Sequence, residues 1–181
     1  MVMLMNYLSI GISYLIVSIP IALIFIFIYY GIKFGITRKF NIKLSKIICE
    51  IAWIVIVISI LGITGVLGGD YNTTSISANS LHYSFSIFEE GITTATILNL
   101  ILFIPYGFLS AVIFKKIRKK KIYGILIGLI FTIGIEFLQS FTGRFVELED
   151  ILMNTIGTYI GYIICVTLVK HRNKKNKQIF T

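Results

Sequence analysis

Five stretches of this chain are almost wholly apolar, and they dominate its pattern. They cover residues 7–32, 47–67, 96–114, 122–141 and 151–169. Each is close to or above the roughly 20 helical residues that about 30 Å of hydrocarbon requires. Lipid offers no water to the backbone, so each stretch must satisfy its own N–H and C=O groups as a helix. The pattern predicts an all-α fold, a polytopic membrane helix bundle of about five transmembrane helices. The first stretch has no Lys or Arg before it and Lys33 just after it. A cleavable leader has the opposite arrangement, so this span is expected to remain in the mature chain. It is longer than a membrane needs and carries Pro20 near its middle, which predicts a tilt or a kink.

The polar intervals then fix an orientation. Sixteen of the 17 Lys and Arg residues fall at 33–46, 115–121 and 170–177, each cluster starting where an apolar stretch ends, and only Arg144 stands apart. Positive charge in short loops collects on the cytoplasmic side. The loops 33–46 and 115–121 and the tail 170–181 are therefore inside, the N-terminus and the loops 68–95 and 142–150 outside, giving five crossings, N-out and C-in. The chain divides into two N-terminal transmembrane helices (1–68), an extracytoplasmic loop (69–95), a three-helix core (96–169) and a basic cytoplasmic tail (170–181). A net charge of +9 on a chain of mean hydropathy +0.90 thus belongs to the lipid bilayer surface, and no nucleic acid partner is expected. Cys49 and Cys165 both map near the inner ends of their helices, where no disulfide is expected.

The outer loop carries Asp70, His82, Glu89 and Glu90, and its segment 82–88 alternates aromatic and small polar residues. An interfacial aromatic belt accounts for this alternation. His82 has no Cys or His at metal-ligand spacing and reads as a surface histidine. Asn72-Thr73-Thr74 matches a glycosylation sequon, relevant only in a eukaryotic secretory route.

Measured from the nearest basic cluster, the intramembrane polar residues fall at one depth. Asn99 precedes Lys115 by 16 residues, Glu136 follows Lys121 by 15, and Asn154 precedes Lys170 by 16. At 1.5 Å per residue all three sit roughly 22 to 24 Å from the inner boundary, in one plane of the outer leaflet. Helical spacing aligns Gly124, Gly128, Thr132, Glu136 and Gln139 or Ser140 on the fourth span, and Asp150, Asn154, Gly157 or Thr158, Gly161 and Cys165 on the fifth. Thr96, Asn99, Phe103, Tyr106 and Ser110 share a face of the third. The pairs Gly124/Gly128 and Gly157/Gly161 would let two backbones approach, with an outer cavity lined by Glu136, Gln139, Asp150 and Asn154. A carboxylate at that depth must face protein or water, and Arg144 is its natural partner. The same groups read either as a structural ion-pair cluster pinning the outer loop or, as intramembrane ionisable residues do by default, as a functional site.

These residues carry a resemblance. Asn99-x-x-x-Phe103-x-Pro105-x-Gly107, Glu136-x-x-Gln139, Arg144-x-x-Glu147-x-x-Asp150-x-x-x-Asn154-Thr155-x-Gly157 and Gly161-Tyr162 together resemble the signature of VanZ-like bacterial membrane proteins. The resemblance covers about 96–169; the first two spans agree in topology alone. It implies a multi-pass protein of the bacterial plasma membrane, associated with reduced susceptibility to the lipoglycopeptide teicoplanin. Members tend to carry Asp where this chain has Glu147, which keeps the charge on a longer arm, and an aliphatic residue where it has Tyr106.

Two classes of function fit the layer. A binding module would use Glu136, Gln139, Arg144, Glu147, Asp150, Asn154 and Asn99 as an outward pocket for a lipid-linked cell-wall precursor or a lipoglycopeptide. A membrane enzyme modifying a lipid-linked precursor would need a nucleophile, a base or a metal cage. There is no His at membrane depth, no outer Cys, and no acidic pair of clear metal spacing beyond Glu147 and Asp150. No metal or cofactor is expected, and Glu136 is the candidate base. A scaffold role ranks third.

Overall fold

The computed structural model describes residues 2–38, 43–69, 71, 83–84, 87–88, 91–142 and 146–179. Five helices coincide with the five apolar stretches: α1 (Val2–Thr37), α2 (Leu44–Ile63), α3 (Thr94–Ile113), α4 (Ile122–Ser140) and α5 (Leu148–Ile179). All are long and apolar enough to cross a membrane. The chain divides into two compact units, Met1–Gly69 and Asp70–Thr181.

In the first unit α1 and α2 form an antiparallel pair. The helix α1 runs unbroken through Pro20, where the missing N–H leaves the Ile16 carbonyl without its helical donor. Its 36 residues extend roughly 54 Å at 1.5 Å per residue, beyond the hydrocarbon thickness. Between the helices the Ser18 and Ser59 hydroxyls meet at 2.9 Å, fully buried, and Gly62 lies against the ring of Tyr14. Small and hydroxyl-bearing residues at such contacts let apolar helices pack closely where lipid supplies no hydrophobic drive.

The second unit is built around α5. Thr93 caps α3: its side chain accepts from Thr96 N at 3.2 Å while Thr96 Oγ1 accepts from Thr93 N at 3.3 Å, a reciprocal capping box. Along one flank of α5, Gly157 and Gly161 press on the carbonyl oxygens of Leu100 and Ile104, and Gly107 of α3 on that of Thr158. Contacts that advance in the same sense on both chains make α3 and α5 parallel. On the other flank Gly124 receives the Tyr162 ring, and Gly128 receives Thr155 and Thr158. The two glycine pairs therefore do not meet each other, as the sequence had suggested; one admits the α3 backbone and the other admits α5 side chains. Tyr162, fully buried with Ala111 and Cys165, reaches 3.0 Å from the carbonyls of both Ile117 and Lys120. It thereby anchors the 3-10 turn Lys115–Lys119 that joins α3 to α4. Both cysteines are free.

Two short strands lie at the opposite end. Strand β1 (Tyr83–Ser84) pairs in parallel with β2 (Val146–Glu147), Tyr83 opposite Val146 and Ser84 opposite Glu147. This bridge ties the long loop to the residues that lead directly into α5.

Candidate functional site

The first turn of α5 holds Glu149 and Asp150, at the end where the helix dipole and free N–H groups favour carboxylates. Both acids are bound to α3, and Glu149 also to the long loop. Glu149 accepts from Thr96 Oγ1 at 2.5 Å and from Phe88 N at 3.1 Å. One side chain thus joins the start of α3, the long loop and α5. Phe88 has φ 59°, a left-handed conformation rare outside glycine; Gly91 N closes a turn onto its carbonyl. Asp150 accepts from Asn99 Nδ2 at 2.6 Å.

Glu136, on α4, is 3% exposed. Its Oε2 accepts from the peptide N–H of Glu147 at 3.1 Å, so β2 presents a backbone donor to a carboxylate that burial would otherwise penalise. The Glu147 side chain is exposed, and the residue meets Glu136 through this N–H. Gln139 is also buried, at 4%, and its carbonyl accepts from Thr142. Asn154 is 2% exposed; it donates to Thr132 Oγ1 at 3.0 Å, and its carbonyl accepts from Thr158 Oγ1 at 2.9 Å. Asn154 Oδ1 and Thr155 Oγ1 are buried and have no hydrogen-bond partner among the described residues.

The polar groups form two layers, not one plane. Gly124 lies at Tyr162, Gly128 at Thr158 and Thr132 at Asn154. Each four-residue step along α4 matches four residues back along α5, which sets Glu136 level with Asp150. Asn99 joins that level through its bond to Asp150. Asn154 and Thr132 lie one turn, about 5.4 Å, nearer the basic turn. Depth reckoned from Lys170 was misleading because α5 continues past the loop it was compared with: Tyr162 already touches the carbonyls of Ile117 and Lys120. Glu136, Gln139 and Asn154 are enclosed by protein, where the sequence had suggested a cavity lining.

Arg144, and with it the expected pairing to Glu136, lies outside the described residues, as do His82 and the sequon at 72–74. Glu149 was missed in the sequence. Its signal was an acid in the first turn of α5, facing the Thr93/Thr96 start of α3 in a parallel pair. Among the described residues no group of three His, Cys, Asp or Glu is arranged to hold a metal ion. Among the described residues the arrangement brings carboxylates and the Thr96, Asn99 and Glu147 N–H and O–H donors together over a deeper, buried amide acceptor.

A family model described as VanZ/LLP1 matches residues 12–170. That range takes in the first two spans as well as the 96–169 signature. No curated protein and no solved structure matches.

Proposed function

The chain belongs to the VanZ/LLP1 family, and from that premise and the geometry of the cluster we propose that it binds the polar head of a lipidated or lipid-linked ligand at the outer face of a bacterial plasma membrane. Reduced susceptibility to teicoplanin-type lipoglycopeptides would be the outcome. The observation that carries this reading is the burial of Glu136, 3% exposed, one turn above the Asn154 Oδ1, which has no partner among the described residues. A carboxylate is costly inside a membrane domain and marks a site there by default; a buried acceptor without a partner fits an N–H or O–H donor from a ligand. Arg144, the one cation assigned to that side by the distribution of charge, supplies a planar fork for a carboxylate or phosphate.

The test is to purify the protein with its native lipids and identify what is bound by mass spectrometry, with and without added teicoplanin. An undecaprenyl-linked species lost in Arg144→Ala supports precursor recognition, and bound drug alone supports interception. Neither species on the wild-type protein would refute ligand binding.

A further inference from the structure

A groove of about 870 Å³ lies within the first unit, lined by Leu23, Phe27, Gly31 and Phe34 of α1 and Ile47 and Ile51 of α2, among others. Its walls are apolar and its polar groups stand at one end. There the Tyr30 hydroxyl donates to Glu50 Oε2 at 2.5 Å, Lys46 Nζ lies 3.4 Å from Glu50 Oε1, and Lys33 Nζ sits 5.6 Å above the Tyr30 ring. Arg38 and Lys43 flank the same end and are exposed. Lys33, Arg38, Lys43 and Lys46 outnumber Glu50, so that end is positive.

The depth of the groove matches one leaflet. Leu23 is ten residues from Lys33, roughly 15 Å along the helix, about half of a 30 Å hydrocarbon layer. The groove therefore runs from the level of the basic loop to about the bilayer midplane. Gly31 lines the groove, and a Cβ added there would meet no heavy atom within 4 Å, so a larger side chain there has room to occupy the slot without a clash. A slot one acyl chain deep, apolar throughout and cationic at its mouth, is complementary to an amphiphile with an anionic head.

We propose that this groove is a binding site for an anionic glycerophospholipid of the leaflet that contacts the basic loop, one acyl chain in the slot and the phosphate against Lys33 and Lys46. Glu50 orients the site: it holds Lys46 by an ion pair and Tyr30 by a hydrogen bond. The site is made of first-unit residues alone and stands or falls independently of the cluster in the second unit.

The experiment is native mass spectrometry of the full chain in detergent with equimolar phosphatidylglycerol and phosphatidylcholine. The wild type should retain one phosphatidylglycerol in preference to phosphatidylcholine, and excess inorganic phosphate should not displace it. Lys33→Gln should lower that preference about fivefold, the effect of one surface cation near anionic lipid. Gly31→Phe, which fills the slot and leaves every charge in place, should abolish retention of both lipids; Gly31→Leu should do the same with a smaller side chain. Melting temperatures of both variants should equal the wild type. Equal occupancy by the two lipids in the wild type would overturn the proposal. So would unchanged retention in both Gly31 variants, or a second copy of the chain in place of the lipid. A lower melting temperature with unchanged lipid count would show that protein fills the groove, and would equally overturn it.

Discussion

Asn99 and Asp150, 51 residues apart, are joined across the α3–α5 contact by a hydrogen bond of 2.6 Å from Nδ2 to Oδ1. Asn154, one turn deeper, makes its own interhelical bond to Thr132 at 3.0 Å. The two asparagines differ in the charge of the partner. A bond to a charged group contributes about 1.5 to 3 kcal/mol, whereas interhelical hydrogen bonds between neutral groups in membranes average about 0.6 kcal/mol. Asn99→Ala is expected to destabilise the protein more than Asn154→Ala. Thermal unfolding of both variants in detergent checks the order, and equal losses would mean that the Asp150 carboxylate does not depend on Asn99.

The glycines of the second unit give a sharper contrast. A Cβ at Gly161 would overlap the Ile104 carbonyl oxygen, while one at Gly134 would meet nothing within 4 Å. Gly161→Ala must push α3 away from α5 and is expected to cost about 1 to 3 kcal/mol. Gly134→Ala is expected to be neutral or to stabilise by up to about 1 kcal/mol, the gain in helix propensity. Fluorescence-detected gel filtration after a heating series separates the two. An unaffected Gly161→Ala protein would contradict the close backbone packing.

The helices were legible in the sequence because lipid leaves the chain no other way to satisfy its backbone. Their ends and depths were less so. Charge marks where the membrane stops, not where a helix stops: α5 continues through Lys170 to Ile179, since Lys, Arg and Gln extend an established helix readily. For the same reason Lys170 was a poor ruler for Asn154. The stripes on α4 and α5 were readable from helical spacing, but which flank met which neighbour was not. Periodicity fixes a residue's angle about its own helix and carries no information about the parallel or antiparallel partner. Glu149 escaped notice because its partners, Thr96 and Phe88, are distant in sequence and neutral.

Orientation rests on the distribution of charge and is open to a direct check. Cysteines introduced in place of Ser80 and Thr142 should react with an impermeant thiol reagent in intact cells, and those in place of Ile36 and Asn176 should react only after lysis. Labelling at position 176 from outside would reverse the assignment and move the Glu136 cluster to the cytoplasmic side.

Glu136 and Arg144 separate site from scaffold. Glu136→Gln keeps a carbonyl oxygen to accept the Glu147 N–H, now 3.1 Å from Oε2, so the fold should hold while the charge is lost. If the cluster only braces the end of the bundle, Glu136→Gln should be mild, and Arg144→Ala should lower protein level by leaving buried carboxylate charge uncompensated. If it recognises a ligand, Arg144→Lys should leave protein level intact yet abolish the teicoplanin phenotype, because an ammonium keeps the charge and loses the planar fork. Asp150→Asn, which retains an oxygen to accept from Asn99, should behave like Glu136→Gln in expression and like Arg144→Lys in phenotype. The measurement is drug susceptibility at matched protein level in the membrane fraction. Wild-type susceptibility in all three variants, Glu136→Gln, Asp150→Asn and Arg144→Lys, would remove the cluster from the mechanism and leave it a structural clamp.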